Sequence, residues 1–275
     1  MAAVSPGVVA KRAIKWSAHG IDRLRRPGRG VIVLIYHRVG RLSSLDVDLP
    51  SDLFDAQMAE LAATGRVRSL DVALDALTSS DAPPADPIVI TFDDGTADFA
   101  DVALPILDRH RLPVTIYLAT DFVDRGIDFP NHGRPLSWAA VRDCANTGLV
   151  TVGSHTHTHA LLDRLPPTAI ADELDRADEL VAEHVGTRPA HFAYPKAVAG
   201  STSADAAVRA RYRSAALAGT RPNRYGATDV HRLARSPVQT SDGMTFFRAK
   251  LAGGMGVEDA FRETLNRWRY RGATE

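Results

Sequence analysis

Two adjacent carboxylates, Asp93 and Asp94, end the apolar run of "PIVITFDDG" (87–95). A carboxylate taken out of water there costs free energy unless a cation compensates it. A second set of reactive side chains lies in "TVGSHTHTH" (151–159), where His155, His157 and His159 are three of the chain's ten histidines. If the chain turns helically after Ser154, His155 and His159 share a face; if it stays extended, all three do. In either case two imidazoles meet, and neutral imidazole is the commonest protein metal ligand. Two histidines and one carboxylate with an open position form the ligand set of a catalytic divalent site. Zinc suits these ligand types, and cobalt or nickel also fits. Such an ion polarises a carbonyl and lowers the pKa of a water, so the spare aspartate becomes the base that takes the water's proton. Gly95 permits the tight turn that lets neighbouring carboxylates converge.

These residues need strand ends to stand on. "VIVLIYH" (31–37), "IVITF" (88–92), "PVTIYLA" (113–119) and "LVTVGSH" (149–155) read as buried strands. Three shorter runs, "HFAYP" (191–195), "SAALAG" (214–219) and "VHRLAR" (230–235), complete a set of seven. Helical patterns alternate with them. The first spans 50–65, capped at Ser51, with Leu53, Phe54, Gln57, Met58 and Leu61 inward and Gly65 as its stop. The next carries Phe99, Val102, Ala103, Ile106, Leu107 and His110 on one face, with a kink expected at Pro105. Others run from Ser137 to Gly148, over 167–186 and near 202–212, and two more helices close the chain. Strands alternating with helices imply a mostly parallel sheet. Seven repeats of that unit point to an α/β fold, a (β/α) barrel, whose active site lies at the carboxyl ends of the strands. Asp93 and Asp94 sit at such an end.

Composition narrows the function further. The 275 residues carry 33 basic and 33 acidic side chains, so there is no basic footprint for nucleic acid. The single cysteine, Cys144, excludes an internal disulfide and favours a cytoplasmic setting. Residues 1–30 form a separate basic segment, with Lys11, Arg12, Lys15, Arg23, Arg25, Arg26 and Arg29 against one acid, Asp22. Val9, Ala13, Trp16, Ile21 and Leu24 recur there at roughly helical intervals. The segment lacks the apolar stretch of a secretory signal and is too short in apolar residues to span a membrane. Two readings stand: a helix packed on the 31–275 domain, or a basic interfacial helix that touches a membrane through residues 8–29.

The pairing of "TFDDG" (91–95) with "SHTHTH" (154–159) resembles the polysaccharide deacetylases with a NodB homology domain, carbohydrate esterase family 4. "VIVLIYHRV" and "LSWAAVRDCANTGLVTVGSH" resemble one branch of that family, so the likeness runs over residues 31–250. The resemblance implies a distorted barrel of about seven strands and the removal of N- or O-acetyl groups from sugars. It implies that Asp93 is the base and that Asp94, His155 and His159 hold the ion. Thr156 would brace the loop between the two histidine ligands, and His157 falls on an unassigned position.

The chain departs from the family pattern in its later motifs. The third reads approximately Arg-x-Pro-Tyr, its arginine orienting the base and its tyrosine N–H binding the oxyanion. Here the stretch is "HFAYPKA" (191–197), with Ala193 in place of the arginine and Lys196 in place of the tyrosine. A backbone donor survives a change of side chain, so the Lys196 N–H still suits an oxyanion. Tyr194 is either a groove residue or a core aromatic. The family's late acid histidine has no clean counterpart: His231 precedes Leu233 instead of following a leucine, and His37, at the end of the first strand, is better placed to bond substrate or leaving amine. The expected substrate is an N-acetylated carbohydrate or a lipid-linked sugar. Two other readings are a metal hydrolase of a small-molecule amide on the same barrel and a carbohydrate-binding relative that has lost turnover. An open groove favours a glycan, and a closed pocket favours a small molecule.

Overall fold

The apolar runs become strands. In the computed structural model, which describes residues 15–16, 20, 28–79, 81–256 and 259, they are β1 (Ile32–Tyr36), a small parallel pair β2 (Arg38–Val39) and β3 (Asp48–Leu49), β4 (Ile88–Phe92), β5 (Val114–Leu118), β6 (Val150–Ser154), β7 (His191–Ala193), β8 (Ser214–Ala216) and β9 (Ser236–Pro237). Seven of them form one parallel sheet in the order β8-β7-β6-β5-β4-β1-β9. The α/β barrel expected from the alternation of elements is therefore present, in curled and distorted form. Its two edges meet through one stretch of chain. Leu233 N donates to Ala215 O, while Leu233 O and Arg235 O accept from Leu217 N and Gly219 N at 2.8 Å each. Three residues on, Val238 N donates to Ile35 O at 2.9 Å. The 233–238 segment thus bonds to both β8 and β1.

That segment corrects one expected strand. Residues 230–235 do not form it; Val230–Arg232 is a 3₁₀ turn whose N-cap Asp229 accepts from His231 N. Strand geometry is delayed to Ser236–Pro237, because the aspartate cap holds the chain in a turn first.

The helices are α1 (Ser51–Thr64), α2 (Leu70–Thr78), α3 (Leu104–Arg109), α4 (Thr120–Arg125), α5 (Trp138–Asn146), α6 (Pro167–Val185), α7 (Thr202–Arg211) and α8 (Gly243–Leu251). Helix α1 starts from Pro50, not from a Ser51 cap; Pro50 makes no side-chain cap bond. Its Phe54, Met58 and Leu61 bury against Ile32, Leu34, Tyr36, Ile88, Ile90 and Phe92, the outer row of β1 and β4. Each such side chain contributes about 1.5–3 kcal/mol by leaving water. The expected kink at Pro105 is a π turn over Phe99–Ala103, in which Leu104 N reaches back to Phe99 O. The wider turn brings the proline to the first positions of α3, where it costs the helix no bond.

The sequence reading assigned no helix to α2 or α4. Helix α2 is short but capped by Ser69, which accepts from Val72 N. Its Leu70, Ala73, Leu74 and Leu77 pack with Val33, Val89, Tyr117, Ala193 and Ala216. Those residues alternate with the outer row and face the barrel interior, so α2 stoppers the amino-terminal end. Everything chemical is left to the other end.

Of the basic N-terminal segment, Lys15, Trp16 and Gly20 are described, and they are helical. Lys15 Nζ donates to Asp242 at 2.6 Å and to Ser241 Oγ at 2.8 Å, so this part of the segment packs on the domain. The rest of residues 1–27 and, except for Asp259, the expected last helix lie outside the described residues. No helix among the described residues is long and apolar enough to cross a membrane.

Candidate active site

The carboxyl ends of β1, β4, β6, β7 and β9 surround a cleft of about 350 Å³ lined by His37, Asp93, Asp94, His155, His159, Lys196 and Arg235 among others. Strand alternation explains its first member. Val89, Thr91 and Asp93 are every second residue, so Asp93 extends the interior-facing row of β4 just beyond its last residue. There it is 5% exposed. The charge is met by Arg235, itself fully buried, in a fork: Nη1 donates to Oδ1 at 2.6 Å and Nη2 to Oδ2 at 2.8 Å.

Arg235 is held in turn. Its Nη1 donates to Thr91 Oγ1 at 3.1 Å, its Nε to Leu217 O at 3.2 Å, and its guanidinium lies 5.1 Å from the Tyr117 ring centroid. Gly153 makes room for that ring, since a Cβ there would lie 2.6 Å from Tyr117 Cδ1. Burial alone would raise the Asp93 carboxyl; Arg235, and after it His155, outweigh burial and hold it at about 2. Asp93 is a fixed, ionised carboxylate. The family's base-orienting arginine, replaced by Ala193 in the third motif, thus has a counterpart that the sequence reading did not find.

Asp94 departs from the strand. Its φ is +75° and that of Gly95 is +100°, left-handed conformations that turn the second carboxylate away from the first. A Cβ on Gly95 would also come within 2.7 Å of Leu118 Cδ2. Asp94 Oδ1 ends 3.7 Å from His155 Nε2 and 3.6 Å from His159 Nε2. The three ligand atoms lie within 4.8 Å of one another. A tetrahedral ion with bonds of about 2.0–2.1 Å would space its ligand atoms about 3.4 Å apart. The donor set therefore fits a divalent ion.

The protonation state fits as well. His155 Nδ1 lies 2.7 Å from Ala193 O, and donating there leaves Nε2 as the lone-pair atom facing Asp94. Burial, with His155 beside it, pushes His159 down to about 4 against the pull of Asp94. His159 is then neutral near pH 7, the form that ligates.

The loop between the two histidines turns through left-handed Thr156 and His159, with φ of +64° at each. Of the two geometries the sequence allowed, neither a helix nor an extended comb forms. His157 points away: its Nδ1 lies 2.9 Å from Thr120 Oγ1 and its Nε2 3.6 Å from Asp121 Oδ1. Thr156 does not brace the loop through its hydroxyl, which is buried without a hydrogen-bond partner. Glu173 of α6 braces it instead, accepting from His157 N and Thr158 N at 2.9 Å each and from Thr158 Oγ1 at 2.7 Å.

The remaining candidates separate. Lys196 lies on the cleft wall in a left-handed turn, φ +51°. His37 lines the cleft, and its Nδ1 has no hydrogen-bond partner. Tyr194 takes the core alternative. It is 1% exposed and set edge-on against Phe192 in the cluster beneath α7, so it corrects any groove or oxyanion role for that side chain. His231 is spent on structure, its Nε2 lying 2.8 Å from Tyr212 O.

Comparison with known proteins follows the same outline. The family model described as polysaccharide deacetylase matches residues 80–215. Bacillus subtilis YxkH, provisionally named a polysaccharide deacetylase, is 24% identical over 208 residues, 74% of this chain and 71% of that protein. A chitin deacetylase of Arthroderma benhamiae is 29% identical over 109 residues, 39% of this chain and 27% of that one. Among solved structures, IcaB from Ammonifex degensii superposes with a TM-score of 0.69 at 24% identity, over 82% of this chain and 98% of IcaB. Streptococcus pyogenes PplD, solved with acetate, gives 0.67 at 20% identity, over 85% and 97%. Those two share the fold. With both motifs inside the matched residues and the same barrel around them, residues 80–215 of this chain match the polysaccharide deacetylase family, hydrolases of carbon–nitrogen bonds other than peptide bonds.

Proposed function

We propose that the chain is a metal-dependent deacetylase that removes acetyl groups, from nitrogen, on a carbohydrate. The observation that carries this reading is the buried, arginine-clamped Asp93 beside the Asp94–His155–His159 ligand set in one cleft. A divalent ion held by those three side chains supplies Lewis acidity, polarising the acyl carbonyl and easing deprotonation of a water. Zinc fits the nitrogen and oxygen donors, and cobalt or nickel would serve. Asp93 accepts the water's proton at Oδ2, the oxygen that lies 4.0 Å from His155 Nε2. Its fork with Arg235 fixes the direction of the carboxylate, so little reorganisation is needed when the proton moves. Lys196 binds the oxyanion through its backbone N–H. His37 hydrogen-bonds the leaving nitrogen, which receives the proton that Asp93 took from water, a role that His231 cannot share from its place on Tyr212. Acetate and a free amine leave.

The substrate in this reading is an N-acetylated glycan or a lipid-linked sugar. Five of the seven basic residues before position 30, all but Lys15 and Arg29, which pair with Asp242 and Asp86, support a cytoplasmic setting near an anionic membrane surface, which fractionation of the full chain tests.

The two aspartates separate the roles. Asp94→Asn weakens one of three ligands, so metal content and acetate release fall together, with partial rescue by excess metal. Asp93→Asn keeps the ion and loses on the order of 10²–10⁴ in turnover, with no rescue. Metal analysis paired with acetate release from N-acetylglucosamine oligomers reads both. Loss of metal in Asp93→Asn, or full activity in either variant, overturns the assignment; a matched O-acetylated substrate decides between nitrogen and oxygen.

A further inference from the structure

A second cavity, of about 760 Å³, opens next to the catalytic cleft, with Trp16, Ser44, Asp46, Asp242, Thr245 and Phe246 in its wall. The two share a partition. Val47 lines the cleft, whereas its chain neighbours Asp46 and Asp48 line this cavity. Its far wall is the Thr240–Asp242 turn that follows β9, so it lies at the same end of the barrel as Asp93.

The acids of this wall are already answered by its own donors. Asp242 accepts from Lys15 and Lys250 at 2.6 and 2.7 Å. Asp46 accepts from Ser241 N and Ser241 Oγ, and Asp48 from Arg41 N, Ser43 N and Ser43 Oγ. With Arg41 also in the wall, three cations (Lys15, Arg41, Lys250) balance three acids, which leaves no net charge to draw a phosphate or a cation. The wall also offers an indole and hydroxyls. Trp16 is 55% exposed, its ring meeting Phe246 edge-on at 5.2 Å between centroids, and Ser44 and Thr245 are exposed beside it. An apolar face with neutral hydroxyls complements a pyranose, which has an apolar C–H face and a rim of hydroxyls. The volume is that of an ordinary small-ligand site.

We propose that this cavity is a distal subsite for a neutral sugar unit, reached by a glycan that runs from the catalytic cleft across the 43–48 loop onto Trp16. It rests on the deacetylase reading of the cleft and narrows its substrate to an oligomer instead of a single sugar. Covering part of the indole face predicts a gain of about tenfold in affinity for long over short oligomers.

The test uses the full chain and N-acetylglucosamine oligomers of increasing length. In the wild type kcat/KM for acetate release rises about tenfold with length, carried by KM. Trp16→Ala flattens that rise. Thr245→Arg, which obstructs the cavity beside Trp16 and leaves that ring in place, flattens it too, whereas Val72→Ser, at an exposed apolar side chain on α2, preserves it. Calorimetric binding of the same oligomers to Asp93→Asn protein, with and without Trp16→Ala, gives the length dependence without turnover. An indole that only supports the fold would lower Tm and affect all lengths alike. Acetate release with an unchanged length dependence in Trp16→Ala and Thr245→Arg overturns the subsite and spares the deacetylase. Absence of acetate from every oligomer overturns the deacetylase, and the binding series then decides the subsite by itself.

Discussion

Replacing Arg235 tests the centre of the site. Its guanidinium gives Asp93 two charge-assisted bonds, of 2.6 and 2.8 Å, in a place almost without water. In Arg235→Met the carboxylate keeps its burial and loses both of these bonds. Breaking one side of a buried pair costs roughly 3–5 kcal/mol, a large part of the ~5–15 kcal/mol that holds a domain folded. Asp93→Leu alone strands the guanidinium in the same way. The double variant removes both charges and should be far more stable than the two losses added together. The expected coupling is about 3 kcal/mol, against ~0.3–0.5 kcal/mol for independent sites. Urea unfolding of chelator-treated protein at constant m measures all four corners of the cycle. Arg235→Lys then separates stability from catalysis. One ammonium cannot reproduce a fork on two oxygens, so this variant should keep its metal and much of its stability, yet lose about 10² in turnover as the base drifts. Additive single losses, or wild-type turnover in Arg235→Lys, would refute the clamp.

Two further outcomes follow from neighbouring contacts. Glu173→Ala removes the acceptor of three donors in the 157–158 loop, so His159 is held less well and zinc affinity should fall about tenfold; equilibrium dialysis with unchanged affinity would dismiss the brace. Asp178, in α6, is pushed up to about 6 by burial, against the Tyr212 hydroxyl bond and the pull of Arg188 and Arg211, with Asp175 adding to the rise. Between about pH 4 and 6 the folded chain keeps this proton while the unfolded chain has lost it, so stability falls as pH rises through that window. A shift of about two units corresponds to ~3 kcal/mol. Asp178→Asn should flatten that stretch of the Tm–pH curve and raise stability at pH 7, and parallel curves for variant and parent would contradict it.

The parts of the molecule legible in the sequence were those whose cause is local. Apolar runs closed by glycine or aspartate gave six of the seven sheet strands, and the close spacing of His155 and His159 marked the two histidines that the fold gathers at Asp94. Asp93 was legible because two carboxylates at a strand end demand an explanation. Arg235 was missed because its reason lies on another strand. "LARSPV" reads as a strand end unless one asks why an arginine stands among buried neighbours, and that question was the available signal. Glu173 gave no signal, being one acid among several on an amphipathic helix. The seventh strand was misplaced because Asp229 caps a turn at the start of the run that looked extended. Helix α2 is short, and its apolar face meets the barrel interior, a surface that only the closed sheet creates. His157 was set aside only by the family's spacing; geometry sends it to Thr120.

Arg235 and Asp93 are 142 positions apart in the chain, and this bears on when a newly made copy becomes competent. Synthesis delivers about 5–20 residues per second from the amino end, so the loops bearing Asp93, Asp94, His155 and His159 emerge well before residue 235. Until the 233–238 segment arrives, the sheet has two open edges and Asp93 lacks its counter-charge. Long-range pairings of this kind also form slowly. The segment that closes the ring also carries the partner of Asp93, so a nascent or carboxyl-clipped chain presents the Asp94–His155–His159 cluster beside an unclamped Asp93.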